Sequence, residues 1–170
     1  MTQKILVTYA SRSGSTSGVA EEIGKTLRKN GTVVDVLSMQ AVKDLTPYDA
    51  VVAGSAIQAH QWLPEALQFV RENKLELRRK TFAAFLVCMT LAMRNGETYR
   101  LHVAEAFVPV RAQVQTVSEG VFAGALELGK IPSIGDRLKF GISVLLGVWP
   151  AGDSRNWPAI RAWAEGLQLK

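Results

Sequence analysis

Lys4-Ile5-Leu6-Val7-Thr8-Tyr9, followed by Ala10-Ser11-Arg12-Ser13-Gly14-Ser15-Thr16, is the stretch on which the reading of this chain turns. The first six residues form a short, β-rich apolar run, the pattern of a buried strand ended by small polar residues. Beyond the loop, Val19, Ile23 and Leu27 recur at i, i+4 and i+8, which predicts a helix from about Ser15 to Lys29, closed by Asn30-Gly31. The loop therefore runs from a strand end straight into a helix N-terminus, where backbone N–H groups lack partners and the helix dipole is positive. Ser11, Ser13, Ser15 and Thr16 bring four hydroxyls to that point, Gly14 keeps the backbone uncrowded, and no carboxylate interrupts them. Such a loop can surround a phosphate. An ordinary helix cap would need only one of the hydroxyls. The loop has neither the Gly-Lys-Ser/Thr ending of a nucleoside-triphosphate site nor the G-x-G-x-x-G of a dinucleotide site, so a monophosphate matches it better.

Working outward, apolar runs and amphipathic stretches alternate. Strands are predicted at Thr32–Leu37, Asp49–Gly54, Thr81–Cys88 and around Val114–Phe122. Helices are predicted at Leu63–Asn73, with Pro64 in its first turn, and at Gly96–Phe107. A last helix, Trp157–Leu167, sets Ile160, Trp163 and Leu167 along one stripe, with Asp153 or Ser154 as its cap. Thr81–Cys88 is apolar throughout, as a strand covered on both faces should be. The alternation implies an α/β fold with a parallel, doubly wound sheet. In such sheets ligands bind outside the carboxyl ends of the strands, which singles out the loops 10–16, 55–62 and 89–95. Residues of about 124–153 break the alternation: Ile134, Leu138, Ile142, Leu145 and Val148 suggest an extra amphipathic helix in an insertion between the fifth strand and the last helix. No repeat or linker divides the chain, so residues 1–170 read as a single domain.

Composition narrows the function classes. Of 170 residues, 48% are apolar, which fits a folded globular protein rather than a disordered one. The one cysteine, Cys88, excludes an internal disulfide or a cysteine metal cluster, and two histidines without ligand spacing make a metal site unexpected. With no run long enough for a membrane span and no secretory signal, a cytoplasmic protein is expected. The net charge of +5 suits acidic ligands or anionic lipid, whereas the basic residues are too scattered for a nucleic-acid platform.

Thr8-Tyr9-Ala10-Ser11-Arg12-Ser13-Gly14-Ser15-Thr16 resembles the FMN phosphate loop of flavodoxins, Ser/Thr-x-Ser/Thr-Gly-x-Thr, with Ser11, Ser13, Gly14 and Thr16 at its defined positions. Gly54-Ser55-Ala56-Ile57-Gln58-Ala59-His60-Gln61-Trp62-Leu63, Phe122-Ala123-Gly124-Ala125-Leu126 and Gly152-Asp153-Ser154-Arg155-Asn156-Trp157-Pro158-Ala159-Ile160 are similar to the subgroup of menaquinone-dependent protoporphyrinogen IX dehydrogenases. The resemblance implies a flavodoxin-like three-layer sandwich with strand order 2-1-3-4-5. FMN would be the cofactor, its phosphate on residues 11–16. Its ring would lie between Ser55, Ala56, Ile57, Gln58 and Ala59 on one side and Met89, Thr90, Leu91 and Ala92 on the other. Ser55 and Gln58 would hydrogen-bond the ring or its ribityl chain. Many flavodoxins sandwich the ring between a Trp and a Tyr; here Trp62 is available but the third loop has no aromatic residue, which leaves one ring face open. The implied activity is FMN-dependent oxidation of a porphyrinogen with a quinone acceptor. A flavodoxin-type electron carrier is the alternative, although such carriers are typically acidic.

The remaining residues divide between chemistry and packing. His60 is a candidate proton donor or carboxylate ligand, against the plainer reading of a solvated loop histidine. Arg12 either pairs with the phosphate or is solvated. Cys88 and Met93 read as packing residues, and His102 as part of a helix. In the insertion, the apolar positions with Lys130, Arg137 and Lys139 form either a membrane or substrate surface over about 130–149 or a helix packed on its own core.

Overall fold

Among the residues described by this computed structural model, 3–29, 31–131 and 133–170, five strands run parallel in one sheet. Asn30, half of the expected closure of the first helix, lies outside the described residues. In chain order the structure runs β1 (Lys4–Ala10), α1 (Ser15–Arg28), β2 (Val33–Ser38), β3 (Ala50–Gln58), β4 (Gln61–Trp62), α2 (Pro64–Glu72), α3 (Lys74–Leu77) and β5 (Thr81–Cys88). It continues through α4 (Arg100–Ala104), α5 (Val108–Arg111), β6 (Glu119–Ala123), β7 (Ala125–Leu126), α6 (Ile134–Leu145), β8 (Gly152–Asp153) and α7 (Trp157–Glu165). The parallel order β2-β1-β3-β5-β6 is the expected 2-1-3-4-5 arrangement, with the two-residue β4 added antiparallel to β3.

Alternation along each central strand divides the core into two layers. Leu6, Val51, Phe82 and Leu86 face Trp62, Phe69 and Phe107. On the opposite face, Val7, Val52 and Phe85 meet Val19 and Ile23 of α1 and Ile160 of α7. Each fully buried side chain of this size contributes roughly 1.5–3 kcal/mol, which explains why β5 has to be apolar at every position after Thr81. The β1 end and the β3 end are neighbours, because Tyr9 pairs with Gly54 and Ala10 with Ser55. That register brings the loop after β1 beside the segment that follows Gly54.

Three local expectations are corrected. β3 runs on to Gln58 instead of stopping at Gly54, because Ile57 and Gln58 pair with Trp62 and Gln61. The helix expected over Gly96–Phe107 is broken into 3-10 turns and the short helices α4 and α5. Gly96 is seated on the Leu91 backbone, where a Cβ would meet the carbonyl oxygen at 2.3 Å. The α7 cap is neither Asp153 nor Ser154: the Asn156 carboxamide oxygen accepts from the Ala159 N–H at 3.1 Å. Asn156→Ala should therefore lower stability by about 1 kcal/mol, read as a shift in the urea midpoint with an unchanged slope.

The expected insertion helix forms as α6. β7 and β8 pair antiparallel, Ala125 with Asp153 and Leu126 with Gly152, so the intervening segment leaves and returns at one point beside β6. No helix among the described residues is long and apolar enough to cross a membrane.

Candidate cofactor site

At the carboxyl end of the sheet a cavity of about 360 Å³ lies between the loop after β1, the β3 end and the insertion. Its size is in the range usual for small-molecule sites. A wider, open cleft of about 660 Å³ between α1 and α7 is lined largely by charged residues, including Glu21, Lys25 and Arg161. Among the described residues none that line that cleft carries a buried, unpartnered polar group, as the smaller cavity does.

The polar end of the cavity is built by the first turn of α1. Gly14 holds the N-cap at φ 87°, a left-handed conformation that glycine adopts without strain, and no side chain caps the helix. The leading amides of α1 are therefore left for another acceptor. The hydroxyls have separate tasks. Ser11 Oγ accepts from the Gly14 N–H at 3.1 Å and fixes the turn, while Ser15 Oγ accepts from the Ala125 N–H at 2.9 Å and ties the loop to β7. Ser13 is half-buried on the cavity wall. Thr16 is 1% exposed, lines the cavity, and its Oγ1 has no hydrogen-bond partner. A buried hydroxyl without a partner costs roughly 1–3 kcal/mol; Thr8 Oγ1 and Trp62 Nε1 are likewise unpartnered, and of the three Thr16 is the one that lines the cavity, at a helix N-terminus open to a ligand acceptor.

The apolar end is formed by Ala56, Ile57, Leu63, Val87, Met89 and Leu126, with Ile131 and Phe140 arriving from the insertion. Gln58 lies on the rim. Gly124 is needed where the insertion departs, since a Cβ there would come within 2.9 Å of Met89 Sδ and 3.3 Å of Ser15 Oγ.

Several expected site residues stand elsewhere. Ser55 is fully buried; its hydroxyl donates to Ala56 O at 2.8 Å and accepts from the Leu63 N–H at 3.0 Å, closing the hairpin rather than facing the cavity. Ala59 and His60 form the exposed hairpin tip, both with positive φ (49° and 62°). His60 faces His102 of α4, the ring centroids 5.3 Å apart, away from the cavity wall. Thr90, Leu91 and Ala92 coil into a 3-10 turn, and Leu91 is drawn into the core, so Met89 alone of that loop reaches the cavity. Trp62 is buried and meets Phe107 edge-on at 5.9 Å, out of reach of a stacked ligand. Arg12 lines the rim, but its guanidinium is paired with Glu65, at 2.6 and 3.2 Å.

Arg155 is a supporting residue that the sequence pattern does not disclose. Its side chain is 12% exposed and donates to the Asp153 carboxylate through Nε at 2.7 Å and Nη2 at 3.0 Å. Nη1 donates to Ser15 O at 3.3 Å, and the guanidinium lies over the Trp157 ring at 4.4 Å. Gly18 leaves the room, since a Cβ would meet Nη1 at 2.4 Å. The β8–α7 connection is thereby pinned onto the first turn of α1.

The Arg155 hydrogen bond holds the Asp153 carboxyl below its usual 3.8. Because the folded-state value is depressed, the stabilisation is present above 3.8 and is lost as pH falls through the lower folded value. Thermal stability should accordingly hold down to about pH 4 and then drop, and Asp153→Asn should remove part of that drop in a pH series of melting curves.

Comparison with known proteins shows the family. The flavodoxin-domain family profile matches residues 6–139, and the chain belongs to that family. No curated protein sequence is significantly similar to it. An archaeal flavodoxin structure is 24% identical, covering 81% of this chain and 90% of that one, with a TM-score of 0.53. A short-chain flavodoxin associated with a PDU bacterial microcompartment is 17% identical over 97% and 96%, TM-score 0.59. A flavodoxin of Streptococcus pneumonia is 17% identical over 95% of both chains, TM-score 0.56. At these identities the likeness is one of fold. Flavodoxin-domain proteins bind FMN. The residues present here fit that cofactor: an uncapped helix start and an unpartnered buried hydroxyl for a phosphate, and an apolar slot for a flat ring.

Proposed function

We propose that this protein is an FMN-dependent electron-transfer flavoprotein whose phosphate site is the Ser11–Thr16 loop. The observation that carries the reading is the buried, unpartnered Thr16 hydroxyl at the first turn of α1, opening into a cavity that is otherwise mostly apolar. Ser13, Thr16 and the leading α1 amides hold the phosphate, and Gly14 gives it access to the backbone. Ser11 and Ser15 keep the loop in shape. Ile57, Met89 and Leu126 wall the ring slot and exclude water, with Gln58 at the rim for the ring's polar edge or the ribityl chain. FMN, when bound, supplies the redox chemistry, and the chain supplies position and electrostatics.

A second reading makes the protein an oxidoreductase with a substrate of its own, similar to the quinone-linked protoporphyrinogen IX dehydrogenases. The supporting observation is the cavity wall. It has no aromatic residue stacked from the second or third loop, and Ile131 and Phe140 of the insertion add apolar surface above it. A flat apolar substrate with anionic edges suits that wall and a chain of charge +5. Each turnover would take two electrons and two protons from the porphyrinogen and deliver them to a quinone, giving the hydroquinone.

One anaerobic absorbance experiment separates the readings. The FMN-loaded protein is mixed with protoporphyrinogen IX, then with menadione. Flavin bleaching that menadione reverses, with porphyrin appearing, supports the oxidoreductase. Flavin that stays oxidised under porphyrinogen but is reduced by a flavodoxin reductase supports the carrier, and protein that retains no flavin refutes both.

A further inference from the structure

We infer that α6 is a membrane-surface helix that lays its outer face on an anionic lipid bilayer. None of its twelve residues is buried. Ile134 is 82% exposed, Leu138 66%, Ile142 49% and Leu145 87%, and Leu146 and Val148 extend the same apolar surface past the helix end. At helical spacing, positions 134, 138, 142 and 145 fall within about 80° of one another and form a single stripe. Lys139 and Arg137 lie roughly 100° to either side of its centre, the Arg137 guanidinium donating to the Gly129 and Ile131 carbonyls of the preceding turn and Lys139 standing exposed. The acid on this helix, Asp136, lies with Phe140 on the opposite face, where both line the cavity. Glu127, in the preceding turn, is paired with Lys130 at 2.7 Å. The outer face is therefore an apolar band with cationic flanks and no carboxylate, the pattern of a helix lying in the bilayer interface.

Charge selects the occupant. A second copy docked through the same stripe would set the cationic flanks of one α6 against those of the other, with no acid to offset them. An anionic headgroup layer accepts the flanks while the acyl boundary accepts the stripe. The helix is also placed to matter to the cavity, because its inward face is part of the wall. Docked flat, the helix would stand between the bilayer and the cofactor cavity, with Asp136 and Phe140 on the cavity side. That last consequence rests on the flavin reading; the docking itself does not.

Vesicle flotation of the full chain tests the inference with and without FMN. The protein should bind phosphatidylcholine vesicles containing about one-quarter phosphatidylglycerol, bind pure phosphatidylcholine weakly, and be released by salt. Leu138→Ser combined with Ile142→Ser should lower the partition coefficient about tenfold or more without changing the melting temperature, since neither side chain is buried. Lys139→Glu should weaken binding to the anionic vesicles only. Wild-type protein that fails to float, or a double variant that floats as before, overturns the inference. So does a wild-type dimer in solution that the double variant abolishes, since it would assign the stripe to self-association. Flavin-free protein that binds vesicles but not FMN would leave the docking intact while removing the cofactor reading.

Discussion

Thr16→Val should weaken FMN binding by roughly ten- to one-hundredfold while leaving the flavin-free protein as stable as before, or more so. The two side chains are nearly isosteric, so packing around position 16 is kept and the hydroxyl alone is lost. In the flavin-free state that hydroxyl is buried and unpartnered, and removing it relieves a desolvation cost. In the proposed bound state it would donate to a charged phosphate, a hydrogen bond of roughly 1.5–3 kcal/mol, and about 1.4 kcal/mol is a tenfold change in affinity. The two effects have opposite signs, which separates a lost ligand contact from general damage. Titration by flavin fluorescence quenching, paired with melting curves of the flavin-free protein, reads both. Unchanged affinity would remove Thr16 from the phosphate site.

Gly54→Ala should lower stability by roughly 1–3 kcal/mol, the usual cost of overpacking a core. Gly54 pairs with Phe85 across β3 and β5, and the Phe85 ring lies directly over it. An added Cβ would stand 2.0 Å from Phe85 Cζ and 2.3 Å from both ring ε carbons. The ring cannot swing clear, because Phe122 and Trp163 pack against it with centroids at 6.4 and 6.3 Å and Phe85 is fully buried. Alanine is the better strand residue by less than the clash costs. For a chain of this size the melting temperature should fall by about 2–12 °C. Because Gly54 precedes the strand end that walls the cavity, FMN affinity should fall with it. A melting temperature equal to wild type would show that β3 and β5 do not pack as described.

The parallel sheet was legible because burial on both faces leaves a strong signal. Thr81–Cys88 is apolar without interruption and forms β5 with those same bounds. The strand–loop–helix unit that carries the proposed phosphate site was legible for a related reason: strand end, hydroxyls, glycine and helix start fall in one continuous segment. The β3–β4 hairpin was not. A two-residue turn with both φ values positive is usually marked by Asn-Gly or Asp-Gly, whereas here Ala59 and His60 occupy it, so residues 55–62 read as an open loop. That misreading displaced the expected roles of Ser55, Ala59 and His60. The third loop failed differently, since Leu91 is taken up by the core and leaves Met89 at the cavity. On α6, the apolar stripe was visible, but the face that lines the cavity is just Asp136 and Phe140, too few positions to stand out by periodicity. Arg155 depends on tertiary placement, because the carbonyl it meets, that of Ser15, is 140 residues away in sequence.

The proposed role of the loop from Ser11 to Thr16 is to hold the phosphate of a flavin mononucleotide. It is tested most directly by titrating the flavin-free protein with FMN and, in parallel, with riboflavin, which carries the same ring and ribityl chain without the phosphate. Both ligands' fluorescence should be quenched, with FMN bound at least about one-hundredfold more tightly, as several charge-assisted hydrogen bonds require. Equal affinities, or binding of riboflavin alone, would contradict it.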